Sequence, residues 1–143
     1  MTVVEALGAD ALVTRLATDI DTHVLAPARG GVYDAQARGL GAERLERHFL
    51  RGTGAKAGAI RIKPELVRMI DFQPFNLMSP RWQLGVPFEM VFCRNVMIYF
   101  DGPTQRRVLE GIHGAMRAGG LLYVGHSENF TAAREVIRTP TPT

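Results

Sequence analysis

The sequence predicts an α/β fold, and three observations carry that prediction. Strand-like and helix-like segments alternate along the chain. Phe88 to Cys93 (FEMVFC) is continuously apolar except at Glu89, as in the centre of a sheet. Thr104 to Arg117 places Val108, Leu109, Ile112, Ala115 and Met116 at i, i+1, i+4, i+7 and i+8, one face of a helix. The 143 residues are 46% hydrophobic and 22% charged. A chain of that size buries about two thirds of its unfolded surface and reads as one globular domain or a piece of one. No apolar run reaches the roughly 18 residues of a membrane-spanning helix. Met1 to Leu7 lacks the basic start and long apolar stretch of a secretory signal. Cys93 is the only cysteine, which excludes a disulfide framework and a Cys-rich zinc site. The default location is the cytoplasm.

Leu12 to Thr18 is a short β-leaning run that ends in Asp19-Ile20-Asp21. Thr22 to Arg29 follows as a helix, with Asp21 as its N-cap and Gly30-Gly31 as its stop. From Val32 to about Gln73 the chain becomes basic and glycine-punctuated, with an amphipathic helix at Ala42 to Leu50. Ala59 to Lys63 and Val67 to Phe72 then read as an antiparallel pair, so the region resembles an insertion rather than a simple crossover. After the FEMVFC strand and its helix, Gly119-Gly120 stops the helix and Leu121 to Gly125 forms another buried strand. The tail, about residues 135–143 and ending in TPTPT, is expected to be disordered. No internal repeat is evident.

The formal charge is +3, unevenly spread. Residues 38–68 hold eight basic side chains (Arg38, Arg44, Arg47, Arg51, Lys56, Arg61, Lys63 and Arg68) against three acidic ones (Glu43, Glu46 and Glu65). The remainder holds nine basic and eleven acidic. A solvated charged surface accounts for such a block as well as an acidic partner does. Nucleic acid is the weaker candidate, because few aromatics interleave with the charges.

In open α/β sheets ligands bind at the carboxyl ends of the strands. Asp19 follows the first strand, where a carboxylate can take both hydroxyls of a ribose. Asn76 follows a strand-like segment ending near Phe75, and Arg94 and Asn95 follow FEMVFC. Asp19 alone is more commonly a cap or turn residue; three polar strand ends together make a nucleotide pocket credible. Gly52, Gly54 and Gly58 precede an extended segment, so they form a turn rather than a phosphate loop. Cys93 closes an apolar strand and reads as an inert buried thiol, not as a nucleophile paired with His113 or His126. The four histidines have no metal-ligand spacing, so no metal site is expected. Tyr99 is a core aromatic by default and a site residue if the pocket is real.

Three stretches resemble the chemotaxis receptor methyltransferase (CheR) family: FEMVFCRNVMIYFDGPTQRRVLEGIHGAMRAGGLLYVGHSENF (Phe88 to Phe130), LATDIDTHVLAPARGGVY (Leu16 to Tyr33) and HFLRGTGAKAGAIRIKPEL (His48 to Leu66). CRNVMIYF and GHSENF are the most specific strings. The resemblance implies a protein-glutamate O-methyltransferase that uses S-adenosylmethionine, leaves S-adenosylhomocysteine as product, and acts on chemoreceptors. It implies a partial Rossmann-like methyltransferase sheet with a small inserted antiparallel β-subdomain at about residues 32–72. Asp19 would bind the cofactor's ribose, Asn76 and Leu77 would flank its adenine, and Arg94 and Asn95 would line its pocket. Tyr99 corresponds to a tyrosine near the transferred methyl group. The basic insert, residues 38–68, would dock the receptor's cytoplasmic domain and C-terminal tail, with no nucleic acid and no membrane insertion.

The family continues at both ends of the matched region. Its N-terminal helical domain and a glycine loop resembling GCSTGEE are not found here, and Met1 aligns just after that loop. The chain is therefore expected to be the C-terminal part of such an enzyme, incomplete and weakly active or inactive by itself. The alternative is a non-catalytic module that docks receptor tails. A small-molecule methyltransferase would not need the basic insert.

Overall fold

The computed structural model describes residue 6 and residues 15–34, 39–85 and 87–125. They divide into two compact units, Met1–Asn76 and Leu77–Thr143.

In the first unit, β1 (Arg15–Asp19) runs into α1 (Thr22–Gly30). The Asp21 side chain caps α1 by accepting the His23 N–H at 2.8 Å. Gly31 ends the helix with φ +62°, and its N–H donates to the carbonyls of Pro27 and Ala28. A Cβ there would stand 3.2 Å from Val67 Cγ2 and 3.4 Å from Ile62 Cβ, so position and conformation both require glycine. Residues 12–14 of the expected first strand lie outside the described residues.

Next come β2 (Val32–Asp34), α2 (Ala42–His48), β3 (Phe49–Arg51) and β4 (Ala59–Ile62). They form an antiparallel sheet in the order β2-β4-β3, with Ile60 opposite both Tyr33 and Arg51. Helix α2 is shorter than expected because Phe49 turns extended and enters the sheet. Phe49 and Ile60 are buried, as is the imidazole of His48. A four-residue helix α3 (Pro64–Val67) then leads to β5 (Ile70–Pro74).

The pairing of this last strand corrects the sequence reading. Strand β5 does not pair with Ala59 to Lys63; it pairs in parallel with β1, from Arg15↔Ile70 to Asp19↔Pro74. Pro64 opens a helical turn between β4 and β5, which is incompatible with a tight antiparallel hairpin. The antiparallel sheet therefore spans residues 32–62, and residues 70–74 belong with the first strand.

In the second unit, β6 (Phe88–Cys93) has the expected bounds. A 3₁₀ turn at Met97–Tyr99 leads to α4 (Gly102–Ala115), which continues directly into β7 (Met116–Val124), parallel to β6. Val108, Leu109 and Ile112 are buried against Cys93 and Met97, confirming the apolar face read from their spacing. The helix stops at Ala115 rather than at Gly119-Gly120, and β7 starts earlier than expected. Those glycines instead fall where the β6–β7 register slips, between Phe88↔Met116 and Met90↔Leu121, with Gly119 at φ +77°.

The two strands are also not buried on both faces, as their composition predicts. Val91, Cys93 and Leu122 pack with the α4 core, whereas Met90, Phe92, Leu121 and Tyr123 are exposed. On that outer face the Phe92 and Tyr123 rings stack with centroids 4.8 Å apart and planes 14° apart. The described residues cover only one side of the pair. Arg38, His126 and the tail at 135–143 lie outside the described residues.

Candidate functional site

Asp19 is the last residue of β1 and is exposed. Its Oδ1 accepts the Asp21 N–H at 2.9 Å, which fixes the carboxylate in the turn before α1. The backbone carbonyl of Asp19 accepts the Phe75 N–H at 2.9 Å, tying the end of β1 to the residue just past β5. Asn76 is next in the chain and exposed. Two of the expected residues thus stand at adjacent carboxyl ends of a parallel pair, because the two strands keep register up to Asp19↔Pro74.

In the second unit Arg94 and Asn95 directly follow β6, and both are exposed. Asn95 has φ +59°, the sole non-glycine in the left-handed region among the described residues. That conformation reverses the chain sharply after the strand and leads into the turn carrying Tyr99. Tyr99 is 79% exposed and is therefore not the core aromatic of its default reading. Its neighbour Met97 is 2% exposed and anchors the turn in the core.

Leu77 has a different setting. It is half-buried and packs against the Cys93–Met97–α4 core. With Ser79, Pro80 and Trp82 it also faces Arg107 and Gly111 of α4 across a groove of about 320 Å³.

Two features escaped the sequence reading. The Trp82 ring lies over Gly111, and the Arg107 guanidinium donates to the Met78 carbonyl at 3.2 Å, fastening the segment after Leu77 to α4. The half-buried Gln105 amide donates from Nε2 to the carbonyls of Met97 at 2.9 Å and Phe100 at 3.1 Å, on either side of Tyr99. Nothing in a local pattern marks a first-turn glutamine for that task.

Among the titratable groups, Asp101 is displaced. It caps α4, accepting the Thr104 N–H at 3.0 Å, and its bonds from the Thr104 side chain and backbone hold its carboxyl below the ordinary value of 3.8. Among the described residues no group of three His, Cys, Asp or Glu side chains could hold a metal ion. No helix among them is long and apolar enough to cross a membrane.

Residues 1–141 match the family described as CheR methyltransferase, SAM binding domain. The chain is 49% identical over 116 residues to a chemotaxis protein methyltransferase of Klebsiella aerogenes, covering 80% of this chain and 40% of that protein. It is 45% identical over 141 residues to chemotaxis protein methyltransferase 2 of Pseudomonas aeruginosa, covering 97% and 50%. It is 45% identical over 116 residues to the chemotaxis protein methyltransferase of Escherichia coli, covering 80% and 41%. The chain spans half or less of the length of these relatives. A match over nearly its whole length means that this chain belongs to the CheR methyltransferase family, within its S-adenosylmethionine-binding domain.

Proposed function

We propose that the chain is the cofactor-binding part of a protein-glutamate O-methyltransferase that methylates glutamate side chains of chemoreceptors in the cytoplasm. The family match over residues 1–141 carries this reading. The residues at the strand ends fit the nucleoside end of S-adenosylmethionine. Asp19 commits Oδ1 to the Asp21 N–H, and its second oxygen has no hydrogen-bond partner among the described residues, leaving it to accept from ribose hydroxyls. Asn76, held beside it by the Phe75–Asp19 bond, supplies an amide for the adenine edge, with Leu77 as its apolar neighbour. Arg94 and Asn95, at the end of β6, are the residues of the second unit that the family resemblance assigns to the cofactor. When bound, S-adenosylmethionine supplies a methyl group on a positively charged sulfur.

A glutamate side chain is already ionised at neutral pH, so the reaction requires no general base. The work left to the protein is alignment and exclusion of water, which favours a step that cancels two opposite charges. The Tyr99 hydroxyl and the Arg94 guanidinium are suited to orienting a carboxylate without moving a proton. The antiparallel sheet of residues 32–62 would be a subdomain inserted in a Rossmann-like sheet, presenting Arg51, Lys56 and Arg61 to the receptor's C-terminal tail.

Calorimetric titration of this chain with S-adenosylhomocysteine tests the reading. A micromolar dissociation constant, about −8 kcal/mol, is expected, with binding weakened about tenfold or more in Asp19→Ala. Absence of saturable heat would overturn cofactor binding by this chain. The basic antiparallel sheet, with its β2 and β3 edges, specifically favours a second reading as a docking module. Cofactor-independent capture of receptor-tail peptides without methyl transfer would select it.

A further inference from the structure

The turn that carries Tyr99 is only three residues long, and 3₁₀ turns hold themselves together poorly. Its own backbone bonds are Tyr99 N–H to Val96 at 3.2 Å and Phe100 N–H to Met97 at 3.1 Å. The exposed Tyr99 ring gains little from packing, so the main chain beneath it sets the direction in which its hydroxyl is carried.

Gln105 supplies what the turn lacks. Its backbone N–H donates to the Asp101 carbonyl at 2.8 Å as part of the first turn of α4, so the side chain starts from a rigid base. A glutamine amide has two hydrogens, and here Nε2 serves two carbonyls, those of Met97 and Phe100. The bonds span Tyr99 from the residue two before it to the residue one after it. The Met97 carbonyl accepts both this amide and the Phe100 N–H, which uses both of its lone pairs.

We propose that Gln105 is a positioning residue for the transfer reaction: its side-chain amide clamps the main chain on both sides of Tyr99 and so sets the direction from which the phenol projects. The inference rests on the proposed role of Tyr99 at the transferred methyl group. Glutamate at this position would be an acceptor only and would face two carbonyls. Methionine keeps the volume and removes both donors.

The first experiment needs no variant. In the ¹⁵N-labelled chain, the Gln105 side-chain amide hydrogens are expected to exchange about tenfold or more slowly than those of free glutamine. Exchange at the free rate would overturn the clamp. The second experiment uses 3-fluorotyrosine in place of the three tyrosines, with the Tyr99 resonance identified by its loss in Tyr99→Phe. In Gln105→Met this resonance is expected to narrow and move toward the random-coil position while those of Tyr33 and Tyr123 stay in place. An unmoved Tyr99 resonance would overturn the proposal; collapse of all three would mean unfolding and leave the exchange result decisive. Where methyl transfer is measurable, Gln105→Met should lower kcat about ten- to hundredfold with little change in cofactor KM, and cause no further loss in a Tyr99→Phe background. Unchanged turnover in Tyr99→Phe alone would remove Tyr99 from the reaction, and the exchange and resonance results would still judge the clamp.

Discussion

Asp101 shows how one side chain fixes the start of an element and makes it sensitive to acid. Its carboxyl is held below its ordinary value because the charged form accepts hydrogen bonds from Thr104. A group depressed on folding stabilises the protein above its unfolded value and loses that contribution as pH falls through the lowered folded value. Urea midpoints of the chain should therefore fall below about pH 4 more steeply than those of Asp101→Asn, whose amide still caps but does not titrate. Identical pH profiles would show that the cap contributes nothing through its charge. Asp21 was legible as a cap because an aspartate directly before a helix commonly accepts from its first N–H groups. Asn95 was legible as a strand-end residue, but its left-handed backbone was not, since asparagine is common in both conformations. Gln105 was invisible because its partners are main-chain carbonyls five and eight residues away.

Helix α4 shows where local reasoning holds and where it stops. Its apolar face follows from spacing alone, whereas its Asp101 cap was not read from the sequence. Its two interior glycines look equivalent in sequence, both weak helix formers, yet they differ in the fold. A Cβ at Gly114 meets nothing within 4 Å, whereas one at Gly111 would come 2.7 Å from the Trp82 ring. Gly114→Ala should stabilise by up to about 1 kcal/mol through helix propensity. In Gly111→Ala the same gain is set against an overpacking cost of about 1–3 kcal/mol, so the net change is destabilising by up to about 2 kcal/mol. Denaturant midpoints decide it; stabilisation by both substitutions would mean that Trp82 gives way freely. The parallel partnership of β1 and β5 was likewise hidden, because the partners are 55 positions apart and a whole antiparallel sheet intervenes. Adjacent segments in the sequence invited a hairpin that Pro64 forbids.

At the scale of the whole chain, charge distribution is the property read most directly from sequence. The net +3 conceals a strongly basic stretch, and Arg51 and Arg61 of that stretch stand on the antiparallel sheet. If an acidic receptor tail binds there mainly through charge, raising ionic strength from about 0.1 M to about 1 M shortens screening from about 10 Å to about 3 Å. Losing three exposed pairs of roughly 0.5 kcal/mol each would weaken the affinity about tenfold. Fluorescence titration of a labelled tail peptide measures it. Salt-independent binding would point instead to strand pairing and to the exposed Val32 and Leu50. The α/β class and the strand-end residues were legible because each depends on short runs. The one-sided exposure of β6 and β7 was not, because an apolar strand reads the same whether one face or both are covered.

The placement of the single cysteine gives the second unit a built-in chemical clock. Cys93 closes β6 inside the cluster formed by Met97, Val108, Leu109 and Ile112, with 8% of its surface accessible. A thiol reagent must wait for that cluster to part, and no other sulfhydryl competes for it. The alkylation rate therefore counts openings of this core, and converts a packing arrangement into a number that a stopwatch and a mass spectrometer can read.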